Sequence, residues 1–99
     1  MQLASFLNKL IKDDGFILID ANSIKYIIGN PKKEKPIILR LLDKKLHYKL
    51  LFFSDLYFGE AYVDGTLKIE NGSLTDFLEI TAKNIGRNKI NIFAKFLNS

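Results

Sequence analysis

The run Phe58-Gly59-Glu60-Ala61-Tyr62-Val63-Asp64-Gly65 sets two carboxylates four residues apart, with a tyrosine between them. On a helix this spacing brings Glu60 and Asp64 onto one face, where two carboxyl groups held at different pKa values can act as general acid and general base. The same residue types also serve structure. Gly59 allows a close helix approach, Asp64-Gly65 turns a helix into a strand, and Glu60 can accept from backbone amides or pair with a base. Turns and caps are the commoner use, so acid/base work is the rarer alternative for this octapeptide.

Other reactive types are sparse. The chain has one histidine, His47, beside lysines on an amphipathic stretch with no nucleophile in reach, which reads as a partly exposed structural residue. With no cysteine, disulfides, thiolate catalysis, iron–sulfur clusters and most structural zinc sites are excluded, and one histidine makes no metal site alone. Gly29-Asn30-Pro31-Lys32-Lys33 lacks the glycine spacing and the Gly-Lys-Ser/Thr ending of a phosphate loop. There is no dinucleotide fingerprint, nucleophile elbow, His-Glu-x-x-His or calcium loop. RNA-reading signatures are missing as well, so nucleic acid is not an expected partner.

Two stretches suggest binding. Phe52, Phe53, Leu56, Tyr57 and Phe58, with Tyr62, concentrate apolar surface that either lines an acyl pocket or fills a core, core being the default. Of 15 basic and 11 acidic residues, the whole excess of +4 lies after Glu79, where Lys83, Arg87, Lys89 and Lys95 alternate with Ile80, Ile85, Ile90, Ile92, Phe93, Phe96 and Leu97. Such an end suits an anionic membrane surface or an acidic partner domain; equally, it is a terminal helix packed on its own core with solvated lysines.

The elements that must position these residues follow from apolar spacing. Leu3, Phe6, Leu7, Leu10 and Ile11 share one helical face, predicting a helix over about 2–13 that stops at Asp13-Asp14-Gly15. Phe16–Asp20 and Ser23–Gly29 around Ala21-Asn22 read as a β-hairpin, Asn30–Pro36 as an exposed connection, and Ile37–Leu42 as a third strand. Asp43 is the expected N-cap of a helix through Phe53. A further helix follows from about Ser54 to Val63 despite Gly59. Thr66–Glu70 alternates as a strand, Asn71-Gly72 turns the chain, and Ser73 with Asp76 caps a helix whose apolar side includes Leu74, Phe77, Leu78 and Ile85. The order is α-β-β-β-α-α-β-α, with a final basic amphipathic helix, or the start of a linker, within residues 80–99.

This is an α+β domain with a small, mostly antiparallel sheet of about four strands and four or five helices. At 99 residues and 47% hydrophobic composition the chain is one globular domain, residues 1–99. No signal peptide is visible, because Lys9, Lys12, Asp13 and Asp14 break the N-terminal apolar positions, and no apolar run approaches the roughly 18 residues of a membrane span. A cytoplasmic address is expected, with any membrane contact peripheral, at the inner membrane.

Leu46 to Ile80, LHYKLLFFSDLYFGEAYVDGTLKIENGSLTDFLEI, resembles the N-terminal domain of cyclopropane-fatty-acyl-phospholipid synthases, relatives of the mycolic acid cyclopropane methyltransferases. In that family a similar Leu-Gly-Glu-Ala-Tyr-Met-Asp-Gly run precedes an acidic-glycine-serine turn and a helix. The preceding helix, hairpin and Ile-x-Leu-Arg-Leu-x-Asp strand are also similar, so the resemblance covers nearly the whole chain. It implies a two-domain enzyme that moves a methylene derived from S-adenosylmethionine onto the double bond of an unsaturated phospholipid acyl chain. Only the first, lipid-carrier-like and non-catalytic domain is represented. Nothing like Val-Leu-Asp-Ile-Gly-Cys-Gly occurs, so no catalytic, cofactor or metal position carries over, and S-adenosylmethionine belongs to the absent catalytic domain.

The resemblance implies a non-catalytic module that engages phospholipid, docks to the methyltransferase domain of the same protein through Gly59, Glu60, Tyr62, Asp64 and Gly65, and assembles as a homodimer. Lys83, Arg87, Lys89 and Lys95 would then meet the catalytic domain or anionic headgroups. The alternative is a stand-alone lipid-binding or membrane-surface protein that uses the Phe52–Tyr62 cluster as its acyl pocket.

Overall fold

The computed structural model describes residues 1–52 and 54–86, and the side chains of all of these except 52, 54 and 55. The helices are α1 Gln2–Leu10, α2 Leu46–Phe52, α3 Ser54–Asp64 and α4 Leu74–Ile85; the strands are β1 Gly15–Ile19, β2 Lys25–Gly29, β3 Ile38–Leu41 and β4 Leu67–Glu70. This is the expected α-β-β-β-α-α-β-α order. The strands form one mixed sheet in the order β2-β1-β3-β4. β1 pairs antiparallel with β2 and parallel with β3, and β3 pairs antiparallel with β4. Of the stretch 80–99, expected to hold a final helix or the start of a linker, residues 87–99 lie outside the described residues.

Side chains alternate across a strand, so one register defines one face. Phe16, Leu18, Ile28, Leu39, Leu41 and Leu67 are all buried on the face the helices cover. The opposite parity brings Ile17, Ile19, Ile27 and Ile38 together with Arg40, Lys68 and Glu70, and there the Arg40 guanidinium donates to Glu70 at 2.7 and 3.2 Å. The β1–β2 strands approach closely at Gly15, which faces Gly29 across the hairpin. A Cβ at Gly15 would lie 2.2 Å from the Ile28 carbonyl oxygen, a separation that forces the hairpin apart.

Two element boundaries differ from the sequence expectation. α1 ends at Leu10, not near residue 13, because Ile11 turns to an extended conformation (φ −95°, ψ 102°) and drops its side chain into the core at 2% exposure. Asp43 caps a turn and not the helix itself: its carboxylate accepts from Lys45 N–H at 2.9 Å, its carbonyl accepts from Leu46 N–H at 3.0 Å, and α2 begins only at Leu46. The Ser73 cap is as expected. Ser73 Oγ accepts from Asp76 N–H at 3.1 Å while Asp76 accepts from Ser73 N–H at 2.8 Å, a reciprocal capping box.

Candidate functional site

An apolar groove of about 420 Å³ lies over the helix-bearing face of the sheet. That volume falls within the roughly 300–1,000 Å³ of small-molecule sites. Leu3, Phe6, Leu7 and Leu10 of α1 form one wall, Phe77, Leu78, Thr81 and Ile85 of α4 the other, and Phe16 and Leu39 lie between them. Phe77 organises the interior. Its ring meets Phe16 edge-on at 5.0 Å and stacks on Phe58 of α3 at 5.4 Å, contacts that hold aromatic walls rigid beyond their area burial.

The groove makes few polar demands on a ligand. Thr81 Oγ donates to Leu78 O at 2.8 Å. Asn84 spends its whole amide on backbone: Oδ1 accepts from Lys12 and Asp13 N–H, each at 2.8 Å, and Nδ2 donates to Asp13 O at 2.8 Å and Ile80 O at 2.7 Å. Walls of aliphatic and aromatic carbon with the polar groups already partnered suit a hydrocarbon chain better than a polar metabolite. Lys12 and Asp13 are both exposed beside Asn84, and Lys83 pairs with Asp14 at 3.3 Å, so charges of both signs stand near that end.

The residues singled out in the sequence are dispersed. Of the aromatic cluster, Phe58 lines the groove at 6% exposure, Tyr57 packs partly against the core beneath Lys49 with Nζ 4.8 Å from its ring centre, and Leu56 faces outward at 46%. Phe53 and the Phe52 side chain lie outside the described residues. In the octapeptide, Gly59 and Ala61 are buried while Glu60, Tyr62, Val63 and Asp64 are exposed, so its polar face points away from the groove. Asp64 makes the helix-to-strand turn: its carboxylate accepts from Thr66 Oγ at 2.7 Å and Thr66 N–H at 3.0 Å, which holds it below the usual aspartate range, and Gly65 follows at φ +87°. Lys83 is described; Arg87, Lys89 and Lys95 lie outside the described residues.

His47 is structural, as expected. Its Nε2 accepts from Ala21 N–H at 3.0 Å and ties α2 to the hairpin turn. The same turn holds Asp20, 3% exposed, whose carboxylate accepts from Asn22 and Ile24 N–H at 2.9 Å. Partial burial and the Asp20 carboxylate together push the Tyr26 phenol above its ordinary value. A second, smaller cleft of about 240 Å³ gathers Lys32, Lys35 and Lys83 against Asp14, Asp76 and Glu79. Its charges cancel and two of its acids are already engaged, so it selects no anion. Among the described residues no cluster of His, Asp or Glu could hold a metal ion, and no helix is long and apolar enough to cross a membrane.

The groove was missed in the sequence because its lining is the same i, i+3, i+4 pattern that any core-facing helix shows. Comparison with known proteins adds no neighbour: no family model, curated protein or solved structure matches the chain.

Proposed function

We propose that this chain is a non-catalytic lipid-binding module whose groove takes one acyl chain. Its setting is the front of an S-adenosylmethionine-dependent cyclopropane-fatty-acyl-phospholipid synthase. The acyl reading is carried by the groove between α1 and α4: about 420 Å³, walled by carbon, with the Asn84 amide fully used within the protein. The synthase setting is supported by the FGEAYVDG resemblance and by the exposed Glu60, Tyr62 and Val63 of α3, an outward face with which a methyltransferase domain can dock. Methylene transfer and its cofactor belong to that domain. The module's own part is to hold or guide the acyl chain, working from the cytoplasmic side as a peripheral membrane protein, with basic residues contributing on the order of 1 kcal/mol each near anionic lipid.

Saturable binding of palmitoleate to the full chain, followed by displacement of a fluorescent fatty-acid analogue, tests the acyl reading. One site per chain is expected, and absence of saturable displacement overturns it. The size of the natural polypeptide, probed in a lysate with an antibody to this domain, tests the setting. A band several times heavier than 11.4 kDa is expected, and a band at that mass favours the stand-alone alternative.

A further inference from the structure

The groove has two unlike ends. Asn84 binds Lys12 and Asp13 just beyond α1, so α1 and α4 both finish at that corner and their earlier turns lie away from it. Leu3 precedes Leu10 on α1, and Phe77 precedes Asn84 on α4, by about 10 Å of helix each. The far end is dry: Leu3, Phe77 and Phe58, which stacks on Phe77 at 5.4 Å, are 2%, 5% and 6% exposed. First-turn amides there are engaged, Ala4 N–H with Met1 Sδ at 3.3 Å and Asp76 N–H with Ser73 Oγ at 3.1 Å. No charged side chain lines the groove. Toward Asn84 the lining is partly open to water at Leu10, Thr81 and Ile85, while Ile11 stays buried. Both signs of charge stand just outside that end, Lys12 and Asp13 exposed and Lys83 paired with Asp14.

We infer that the groove holds its acyl chain methyl end first, toward Leu3, Phe58 and Phe77, and leaves a zwitterionic head group in water at the Asn84 corner. A carboxylate carried to the far end loses its hydration with no cation in the lining to meet it, whereas a methyl terminus has no such cost. The opposite holds at the mouth. There the ammonium of a phosphoethanolamine head meets Asp13 and the carboxy-terminal ends of two helices, which favour a cation, and the phosphate meets Lys12. A head of one sign is attracted by one of these charges and repelled by the other. The ligand class is therefore an acyl chain in ester linkage to a zwitterionic phosphate head, with free fatty acid a weaker substitute. The direction rests on the acyl reading of the groove.

Two photoprobes on the full chain separate the ends: hexadecanoic acid with a diazirine beside its methyl terminus, and the same acid with the diazirine beside its carboxyl group. By peptide mass mapping the first should label Leu3, Phe58 or Phe77, and the second Lys12, Thr81 or Ile85. The reversed pattern, or one set of residues labelled by both probes, overturns the inference. Palmitoleoyl lysophosphatidylethanolamine, below its micelle concentration, should displace the fluorescent fatty-acid analogue at roughly threefold lower concentration than the lysophosphatidylglycerol of the same chain, the scale of one exposed ion pair. Asp13→Asn, with its far-ultraviolet circular dichroism unchanged, should remove that difference, and so should high salt. Equal affinities in the parent chain overturn the head-group assignment. Saturable displacement with reversed labels refutes the direction and leaves the acyl reading standing. No saturable displacement by any of these lipids, palmitoleate included, refutes the acyl reading itself.

Discussion

The side-chain amide of Asn84 pairs with the backbone of Asp13 as one peptide group pairs with another: Oδ1 accepts from Asp13 N–H and Nδ2 donates to Asp13 O, both at 2.8 Å. α1 has ended by then, and the link into β1 has no strand partner at Lys12 and Asp13, so α4 supplies one. The groove's two walls are thereby fastened at one end. Asn84→Ala should lower unfolding stability by about 1–3 kcal/mol, toward the lower figure because the site is partly open to water. Urea unfolding of the two chains measures it, and an unchanged midpoint would show that the clasp contributes nothing.

A similar amide guards the sheet. β2 is an edge strand, and Asn8 of α1 donates to Ile27 O at 3.0 Å and accepts from Gly29 N–H at 2.8 Å, filling hydrogen-bonding positions that another strand would otherwise find open. Ile27 beside it is 62% exposed. An uncovered edge carrying an apolar side chain invites pairing between chains. Asn8→Ala should therefore self-associate in sedimentation velocity at concentrations where the parent does not, and should lose roughly 0.5–1.5 kcal/mol of stability. Identical sedimentation of the two would remove this role from Asn8.

Acid should weaken the fold through three carboxylates. Glu70 is held below its ordinary value of 4.5 by the hydrogen bond from Arg40, Asp76 below 3.8 by the Ser73 backbone N–H, and Asp64 below 3.8 by the Thr66 hydroxyl. Each binds its proton less readily folded than unfolded, so the unfolded chain takes up protons first. Their contribution is complete above the ordinary values and is lost as pH falls from about 4.5 through the lowered folded values. Urea midpoints at neutral pH, pH 4 and pH 3 should fall in that order. Asp76→Asn, which keeps an acceptor but no charge, should flatten part of the slope.

Much of the fold was legible because it is local. The hairpin followed from β-branched runs around Ala21-Asn22, the turn from Asp64-Gly65, and the α4 start from Ser73 and Asp76, each a short-range pattern with its own physical cause. The parallel β1–β3 pairing was not legible, because it depends on how the 30–37 connection returns the chain to the sheet. Neither was Asn84, whose partner Asp13 is 71 residues away. The groove stayed hidden for a further reason: Leu7 and Leu78 carry the same spacing whether their faces close on each other or leave room between them. The octapeptide was conspicuous in sequence, yet its acids lie outside the groove and Asp64 is occupied in a turn.

Filling the groove should abolish binding without unfolding the chain. Leu7 and Leu78 are only partly buried and both line the groove, so Leu7→Trp or Leu78→Trp occupies ligand volume while the buried Phe16 and Leu39 stay in place. Palmitoleate affinity should drop at least tenfold with the circular dichroism unchanged. Shortening the ligand from sixteen to twelve carbons removes four methylenes at about 0.8 kcal/mol each, so affinity should fall on the order of a hundredfold. A flat dependence on chain length would place the hydrocarbon outside the groove.

The most direct measurement is where an acyl chain sits. Photolysis of the full chain with a diazirine-bearing hexadecanoic acid, followed by peptide mass mapping, should label residues of α1 and α4, among them Leu7, Leu10, Leu78 and Ile85, and excess palmitoleate should suppress the label. Label confined to Leu56, Tyr62 and Val63 on the outer face of α3, or label that palmitoleate does not suppress, would contradict the assignment of the groove as the acyl site.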